Sequence, residues 1–564
     1  MTFGYIFKRR FARFGIAHAG VLLLILAVFT AVFILPLISL FSQAFTDTAG
    51  NFVGLANYRE YFNNPMLRAS VLNTVRISLL TVLFSVPLAF LYAYAIVRTA
   101  MPGKAIFKYI ALLPIFIPTI VQAIGLVYLF GRQGIITRLG FDIGLYGATG
   151  IVIAETVYTF PSAFLIFYTA LQFADGRLHE VCSVMGVKSI KRFFHVTLPE
   201  MKYAIVNAVF ICFTLAFTDF GAPMVLGGQF GVLATDIYQQ VVGQFNLSMG
   251  SVVGTLLLIP AVLSFAVGRF ISTQNTTALN SKTTALAIKK KPLRDIMYFI
   301  LCGGVSASFL LLVAALCVGA FTEFYPFNMD FTLKHFSFTE ARGGIGAFFN
   351  SVKMSALTAV FGTAFIFLAA YMIEKTDGLG LMTRYGKLLS VLPLSVPGMV
   401  VGISFIIFFN SPQNPLNFVF GTVAILVLAN VVCFFSVPYL TAAGALKKLD
   451  KEFETVAESM NIPRYKTFLR VSVPLSANAI AEMAMYLFVN SMVTISALVF
   501  LTTADFRIAA VAIAHMDEAG ESSMAAAMSI LIILVNITVR TLYELTVKFN
   551  KKQTAKKECV NAQN

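Results

Sequence analysis

The chain has 564 residues, of which 58% are hydrophobic and 12% are charged, and its mean hydropathy is +0.83. A soluble domain carries about 25% charged residues, so this composition excludes an ordinary soluble enzyme and indicates a protein that lies mostly in lipid. The net charge of +16 does not indicate a nucleic-acid partner, because Lys and Arg are concentrated at the chain ends and between the halves, as membrane topology requires.

Twelve stretches are apolar enough to cross a bilayer, for which about 18–20 residues are needed. In the first half they lie at about 18–42, 71–97, 105–130, 149–171, 202–226 and 249–271. In the second half they lie at about 297–320, 350–373, 386–409, 419–441, 478–500 and 523–546. The sequence therefore predicts an all-α polytopic membrane fold of about 12 transmembrane helices.

The two halves repeat the same segments in the same order. The matching pairs are NTVRISLLTVLFSVPLAF from Asn73 with NSVKMSALTAVFGTAFIF from Asn350, LLPIFIP around Pro114 and Pro118 with VLPLSVP around Pro393 and Pro397, and RFFHVTLPE with TFLRVSVPL, whose prolines are Pro199 and Pro474. The offsets are 277, 279 and 275 residues. Offsets this constant indicate a duplicated unit of six spans, with the two copies running in parallel.

We predict a first repeat at residues 1–272 and a second at 296–548. Residues 273–295 between them form a polar and basic linker, predicted to be a flexible tether, and residues 549–564 form a basic tail. Only seven of the 42 Lys and Arg residues fall in the loops on the opposite side. The distribution of positive charge therefore predicts that both termini and the linker are cytoplasmic.

Several kinds of chemistry have no signature in this sequence. The six cysteines form no spaced metal set and no disulfide framework in the outer loops. There is no phosphate-binding G-x-x-x-x-G-K-[ST] stretch and no nucleophile, base and acid set outside the spans. We predict no catalytic residue, no metal site and no cofactor in this chain, so ATP would have to be bound by another subunit.

The most specific signal is the loop between the fourth and fifth spans, HEVCSVMGVKSIKRFFHVTLPE, from His179 to Glu200. Helical spacing continues to Met185, Gly186 allows a left-handed turn, and a second short helix runs to Pro199. The pattern predicts two short amphipathic helices at an angle, which would fit a groove of a partner protein. The alternative is an amphipathic surface helix without a partner.

This loop resembles the EAA loop of inner-membrane permeases in binding-protein-dependent ABC importers. Glu180, Gly186 and the pair Leu198 and Pro199 occupy the motif positions. The resemblance covers both halves, as in fused two-copy permeases. It implies that residues 179–200, the first EAA-like loop, form a coupling helix that inserts into a cytoplasmic ATPase subunit. By the same analogy the acidic residue faces a basic residue of that subunit and the glycine sets the bend.

The second EAA-like loop, residues 454–475, reads ETVAESMNIPRYKTFLRVSVPL and departs from the pattern. Aligning Pro474 with the first proline places Thr455 and Asn461 at the glutamate and glycine positions. Asn tolerates a left-handed conformation, so we expect the bend to be present. Glu454, one residue away, or Glu458, one turn further, could supply the acidic contact; otherwise this half couples weakly. Both interpretations remain open.

Ionisable residues inside spans cost about 2.5–3.5 kcal/mol to insert and are therefore candidate pathway residues. The candidates are Asp219, Gly221 and Pro223 in TDFGAP, and Asn490, Ser491 and Thr494 in the corresponding region of the second half. TDFGAP resembles a segment of permeases for iron(III), phosphonates and phosphosugars, where this span lines the translocation path. The alternative is that the aspartate caps or pairs locally near the outer interface.

Other polar and proline residues within the spans suggest structural roles. Pro114 and Pro118, and their counterparts Pro393 and Pro397, are predicted to kink the third and ninth spans near their outer ends, which suggests a gate. We expect Glu155 and Glu482 to be hydrogen-bond partners between helices. Asn73 and Asn350 are predicted to be helix caps rather than links between the halves.

The resemblance implies the membrane subunit of an ABC importer in a bacterial inner membrane. Its expected partners are two copies of a cytoplasmic ATPase, which bind ATP and Mg²⁺, an extracytoplasmic binding protein, and membrane lipid. Iron(III) is the expected substrate, with 2-aminoethylphosphonate, a phosphosugar or thiamine as alternatives. An ion-coupled secondary transporter can also consist of parallel six-span repeats, but that class leaves the repeated EAA-like loop unexplained.

Overall fold

The computed structural model describes residues 16–275, 288, 290–338, 344–375, 380–450 and 452–563. Within these ranges the fold is all-α, as predicted, apart from a two-stranded antiparallel hairpin of Thr322–Phe324 and Asn328–Phe331. Most of the predicted linker, residues 276–287 and 289, lies outside the described residues. The predicted tail continues the last helix, which runs over Ser522–Gln563.

Seven helices in the described residues are long and apolar enough to cross a membrane alone. They are Ala19–Ala44, Pro65–Arg98, Ala148–Phe173, Leu247–Gly268, Pro292–Phe321, Gly344–Glu374 and Ser522–Phe549. Five further pairs pass the same criterion only together, because each pair is bent at a short break. They are Lys104–Phe116 with Thr119–Phe130 (107°), Ile190–Glu200 with Lys202–Thr218 (66°), Gly380–Ser395 with Gly398–Phe409 (109°), Val423–Cys433 with Ser436–Lys448 (60°), and Arg464–Leu475 with Ala477–Val493 (76°). With each pair counted as one span the total is 12, as predicted.

The shorter helices connect these spans. In the described part of the chain the ones that matter for the candidate site are Gly176–Val184, Gly221–Leu226, Leu233–Tyr238, Glu452–Ser459 and Ala509–Glu518. The predicted fifth and eleventh spans, 202–226 and 478–500, are each interrupted: their helices end at Thr218 and Val493. Hydrophobicity continues across both interruptions, which is why the sequence pattern did not reveal them.

The chain folds as two compact units that do not coincide with the sequential halves. Unit A contains residues 43–342 and 510–530, and unit B contains residues 1–42, 343–509 and 531–564. The first span of each predicted repeat therefore belongs to the unit built mainly from the other repeat. The predicted domain boundaries describe the sequence duplication, but the packing units exchange these helices.

Aromatic packing shows how the exchanged helices are held. In unit A, Phe309 from the helix Pro292–Phe321 meets the Phe160 ring edge to face, with ring centroids 5.3 Å apart. In unit B, Phe29 from the first span stacks on Phe435 with centroids 4.2 Å apart. All four rings are buried. Such contacts replace lipid contacts and add favourable ring geometry, so each exchanged helix is an integral part of its unit.

Candidate coupling loops and broken spans

The first EAA-like loop bends where the sequence predicts. Helix Gly176–Val184 is followed by Gly186 at φ +68°, a conformation that costs a residue with a side chain about 1–2 kcal/mol. The N–H groups of Met185 and Val187 donate to the carbonyls of Val181 and Cys182, each over 2.9 Å. This pattern closes the helix end with a left-handed turn.

The second EAA-like loop has the same bend without a glycine. Asn461 follows the helix Glu452–Ser459 with φ +53°. The N–H of Met460 donates to the Val456 carbonyl over 2.9 Å, and the N–H of Ile462 donates to Ala457 over 2.8 Å. These donors lie 275 residues after those of the first loop, so the duplicated sequence has kept the bend with Asn in place of Gly.

Each loop continues into a bent arm. The arms are Ile190–Glu200 and Arg464–Leu475, and they meet the following helices at 66° and 76°. Pro199 and Pro474 lie in the last turn of each arm, and the breaks come two residues later, at Met201 and Ser476. The helix after the first break begins at Lys202, where the sequence predicts the fifth span to start.

The first EAA-like loop exposes apolar side chains. Val184 is 89% exposed, and Met185 and Ile190 are each 73% exposed. Glu180 is also exposed, while Leu198 is half-buried. A cluster of exposed large apolar residues next to an exposed carboxylate is typical of a protein-binding surface rather than of an isolated loop.

The second loop differs in its acidic residue. Thr455 is exposed. Glu454 forms an intramolecular ion pair, in which its Oε1 lies 2.9 Å from Lys375 Nζ. This pair weakens the interpretation in which Glu454 replaces Glu180 on a partner. A groove of about 740 Å³, lined by residues that include Phe453, Val456 and Arg470, opens on this loop.

Asp219 lies at the break that ends the helix Lys202–Thr218. Its backbone is extended, with φ −70° and ψ 141°, and its Oδ2 accepts a hydrogen bond from the N–H of Ala222 over 2.9 Å. The carboxylate therefore caps the short helix Gly221–Leu226, in which Pro223 is buried. Local capping, the alternative reading of this residue, is present; a role in the pathway remains a prediction.

The break is tightly packed against the third span. A Cβ at Gly221 would overlap the hydroxyl oxygen of Thr119, so only glycine allows this approach. In the second repeat the roles are reversed, since a Cβ at Gly398 would overlap the hydroxyl oxygen of Ser496. Thr119 corresponds to Gly398 at an offset of 279, and Gly221 corresponds to Ser496 at 275. Each repeat thus has one glycine and one hydroxyl at the same crossing.

The second break begins at Thr494, whose φ of −74° and ψ of 137° match those of Asp219. Its N–H donates to the Asn490 carbonyl over 3.0 Å, and the Asn490 side chain donates to the Tyr486 carbonyl over 2.8 Å. Ser491 is 1% exposed. These polar residues satisfy the helix end locally, and a contact with substrate remains a prediction for them too.

A second carboxyl group approaches the first break. Glu155 is fully buried in the helix Ala148–Phe173 near Asp219, but neither of its carboxyl oxygens has a hydrogen-bond partner among the described residues, so its predicted hydrogen bond between helices is wrong. The offset of 275 places Asn430 and Thr494 at the equivalent positions, so the acidic pair occurs in the first repeat alone. Glu482 is exposed, so its predicted place between helices is wrong as well.

The paired prolines mark the two sharpest bends. Pro118 and Pro397 immediately precede the helices Thr119–Phe130 and Gly398–Phe409, at bends of 107° and 109°. Pro114 and Pro393 lie in single 3₁₀ turns before them. These breaks are far sharper than the predicted kinks, and gating remains a prediction. In the first repeat the Gln122 side chain donates to the carbonyls of Pro114 and Ile117, over 3.1 and 2.9 Å, and so satisfies groups freed by the break.

Asn73 and Asn350 are not helix caps, which corrects the prediction. The helix that contains Asn73 begins at Pro65, and Asn64 is its cap, accepting from the N–H of Met66. Asn350 likewise lies inside the helix Gly344–Leu357. Both side chains instead donate to backbone carbonyls of the segments that follow the broken spans.

Comparison with known proteins identifies the class of transporter. Residues 85–277 and 366–551 both match the family described as the inner membrane component of binding-protein-dependent transport systems. Each match contains one EAA-like loop. The chain belongs to this family. The resemblance noted from the motifs is thereby confirmed, and so is a multi-pass permease of the inner membrane.

This permease is similar over most of its length to proteins of iron transport systems. It is 29% identical over 464 residues to the ferric transport system permease protein FbpB of Actinobacillus pleuropneumoniae, covering 79% of this chain and 67% of that protein. It is 28% identical over 435 residues to the putative ferric transport system permease protein FbpB 1 of Haemophilus influenzae, covering 74% and 68%. The similarity to the thiamine transport system permease protein ThiP of Brucella abortus, 27% over 217 residues, covers 37% and 39%.

Proposed function

We propose that this permease imports iron(III) as the membrane subunit of an ABC importer. Two copies of a cytoplasmic ATPase bind ATP and Mg²⁺ and dock on the two EAA-like loops, while an extracytoplasmic binding protein delivers the substrate to the opposite face. Both termini are cytoplasmic in this arrangement. The chain supplies the path and the mechanical connection, and ATP hydrolysis takes place in the partner.

One observation carries the coupling role: the left-handed bend at Gly186 recurs at Asn461 with the same backbone hydrogen bonds. Asn is one of the few residues with a side chain that adopt this conformation, so its presence at the equivalent position of the second copy supports a functional requirement for the bend. Two copies of one bent, partly apolar element fit two copies of one partner.

The covalent connections suggest how movement is transmitted. Each loop runs through its arm into a helix that ends at a break, the first at Asp219 and the second at Thr494. When ATP draws the two ATPase subunits together, the loops follow, and the breaks allow the segments beyond them to change their packing. The path then opens to the outer face, and hydrolysis resets it.

The substrate is assigned from the relatives. Two proteins named for ferric transport are similar to this permease over about three quarters of its length, whereas the named thiamine permease is similar over 37%. Transport by an ion gradient instead of ATP would leave both EAA-like loops without a role.

Co-purification and uptake test this proposal. The permease is co-expressed with its ATPase and binding protein, and the complex is isolated through a tag on the permease. We expect the ATPase to be retained by the unchanged permease and lost, without loss of membrane insertion, in Glu180→Ala and Gly186→Pro. Saturable uptake of radioactive iron(III) that excess thiamine or 2-aminoethylphosphonate does not reduce supports the substrate; uptake of either of those compounds instead contradicts it.

A further inference from the structure

Each repeat has a buried basic residue at the end of its second span. Arg98, the last residue of the helix Pro65–Arg98, is 6% exposed. Lys375 follows the helix Thr363–Glu374, and its side chain is 8% exposed. The two residues are 277 positions apart, the same offset that relates Asn73 to Asn350. Burying a cation costs free energy unless the cation is paired. A buried cation at the equivalent position of both repeats therefore indicates a role.

In unit B the lysine binds the second EAA-like loop directly. Its Nζ lies 2.9 Å from Glu454 Oε1, in the first turn of the helix Glu452–Ser459, and donates to the Leu449 carbonyl over 3.3 Å. Leu449 caps the end of the preceding helix, Ser436–Lys448. One ammonium group therefore joins the helix before the loop to the helix that forms it. Its charge also complements the carbonyl end of that preceding helix.

In unit A the carboxylate comes from the other end of the loop. Glu200, at the end of the arm, accepts a hydrogen bond from the N–H of Asp175 through Oε1 over 2.8 Å, and its Oε2 lies 4.0 Å from Nε2 of His179. Glu200 thus connects the residue before the helix Gly176–Val184 with the end of the arm. No ion pair or hydrogen bond joins Arg98 to Glu200 among the described residues, so the charge of Arg98 acts on this carboxylate only at longer range.

His179 occupies the position that corresponds to Glu454, at an offset of 275. It is 4% exposed, and burial together with the charges of Arg98 and Arg192 lowers its pKa to about 4. The imidazole is therefore neutral near pH 7 and does not repel the guanidinium of Arg98. Two of the guanidinium nitrogens, Nε and Nη2, have no hydrogen-bond partner among the described residues. The cation in unit A is accordingly held less tightly than Lys375 in unit B.

We propose that Arg98 and Lys375 are positioning residues that hold the two EAA-like loops in the orientation in which they receive the ATPase. Lys375 acts through its ion pair with Glu454. Arg98 is buried at the equivalent position without such a pair, and its charge acts at longer range on the end of the arm, which Glu200 joins to Asp175. The inference rests on the proposed coupling function. The proposal also explains why the second loop departs from the EAA pattern. Its glutamate, Glu454, is displaced by one position and binds the loop to the membrane helices.

The test in unit B is a charge exchange in the reconstituted complex of permease, ATPase and binding protein. We expect Lys375→Ala and Glu454→Ala to reduce uptake per ATP hydrolysed at least tenfold while the ATPase still co-purifies. The reversed pair, Lys375→Glu with Glu454→Lys, should recover to within about threefold of the unchanged complex. Lys448→Ala, which removes an exposed lysine at the end of the preceding helix, is the control and should have no effect. Unchanged coupling in both single variants, or a reversed pair no better than either of them, overturns the proposal.

The test in unit A introduces the missing carboxylate. His179→Glu should give Arg98 the direct partner that Lys375 has, so amide hydrogen exchange in residues 180–187 should slow at least threefold while uptake is retained. Arg98→Ala should speed that exchange and reduce coupling, and Arg98→Lys should be intermediate. Exchange rates that are the same in all four proteins overturn the assignment of Arg98. If the unchanged permease fails to bind the ATPase, the proposed function fails; if it couples normally and these variants do too, only this inference fails.

Discussion

The side-chain amide of Asn73 donates a hydrogen bond to the backbone carbonyl of Gly231 over 3.0 Å. The next residue continues the contact, since the Thr74 hydroxyl accepts from the N–H of Leu233 over 2.9 Å. Leu233 is the first residue of the helix Leu233–Tyr238, so the hydroxyl caps that helix from another element. Two adjacent side chains of the second span thus fix the segment that follows the broken span.

The second repeat has the same arrangement. Asn350 donates to the Arg507 carbonyl over 3.1 Å, and the Ser351 hydroxyl accepts from the N–H of Ala509 over 2.7 Å. Ala509 is the first residue of the helix Ala509–Glu518. Because both pairs follow the duplication, they are part of the repeated scaffold rather than of the substrate-specific path.

Asn73→Leu and Asn350→Leu should each destabilise the permease. Each leaves a backbone carbonyl without its donor, which costs about 1–3 kcal/mol when the group is buried. The melting temperature of the detergent-solubilised protein is the measurement. Leu72→Ala, at a position of the same helix that is 68% exposed, is the matched control and should melt within about 1 °C of the unchanged protein. An equal effect of Leu72→Ala would show that the amide contacts contribute nothing specific.

The left-handed bends should accept Gly and Asn but not branched residues. Gly186→Asn copies the second loop, and no atom lies within 4 Å of the position that its Cβ would take, so we expect at least half of normal uptake. Gly186→Val should lose most uptake, since a β-branched residue is strongly disfavoured at φ +68°. Asn461→Gly should be fully active and Asn461→Val inactive. The test is the uptake rate of each variant at matched expression. Full activity of both valine variants would contradict a requirement for the bend.

Where the third and fifth spans cross, the glycine and the hydroxyl residue should be interchangeable, but a second side chain in place of the glycine should destabilise the protein. Gly221→Ser places a side chain against Thr119 and should destabilise the protein by about 1–3 kcal/mol through overpacking. The double variant Thr119→Gly with Gly221→Ser copies the second repeat and should recover part of that loss. Gly303→Ala, where nothing lies within 4 Å, is the control and should be neutral. Thermal unfolding of the unchanged protein, the single variants Gly221→Ser and Thr119→Gly, and the double variant distinguishes a positive coupling between the two sites from simple additivity.

A buried carboxyl group outside the spans should make stability depend on pH. Asp236 is 5% exposed and accepts hydrogen bonds from Tyr61 and Ser70 over 3.2 and 3.1 Å. Burial raises its pKa from 3.8 to about 6, and the two hydrogen bonds offset only part of that effect. Ser70 lies 28 residues, about 42 Å along the helix, from Arg98, which places this cluster beyond a hydrocarbon core of about 30 Å.

Because the folded state binds this proton more tightly than the unfolded state, stability should fall as pH rises from about 4 to about 6 and level off above. Two pKa units correspond to about 3 kcal/mol at most. Asp236→Asn should flatten the dependence, and Asp142→Asn, at an exposed position, should leave it unchanged. Melting temperatures between pH 4.5 and 7.5 provide the test; identical pH profiles of the protein with and without Asp236 would contradict the assignment.

Hydrophobicity and motif spacing predicted the helices and the loops well, because both are local properties. The bends at Gly186 and Asn461 followed from residue chemistry alone. The breaks at Asp219 and Thr494 were not predicted, since the apolar run continues through them. Asp219 and Asn490 were recognised as polar residues of these regions, with local capping as the alternative for the aspartate. The packing of Thr119 against Gly221 was missed, although the constant offset already paired Thr119 with Gly398.

The exchange of first spans between the units was beyond sequence reasoning. An apolar helix carries no signal that names its packing partner, so Phe29 and Phe309 read simply as lipid-spanning residues. The role of Lys375 was hidden for a related reason: its partner Glu454 lies 79 positions away and looked like a displaced motif residue. A systematic comparison of the repeats would have related Lys375 to Arg98.

The most direct test of the account is uptake into proteoliposomes that contain the purified permease with or without its ATPase. We predict that iron(III) presented by the binding protein accumulates only when the ATPase and internal ATP are both present, and that Gly186→Pro abolishes this accumulation. Accumulation by the permease alone, driven by an ion gradient, would contradict the claim that the two EAA-like loops transmit the work of ATP hydrolysis.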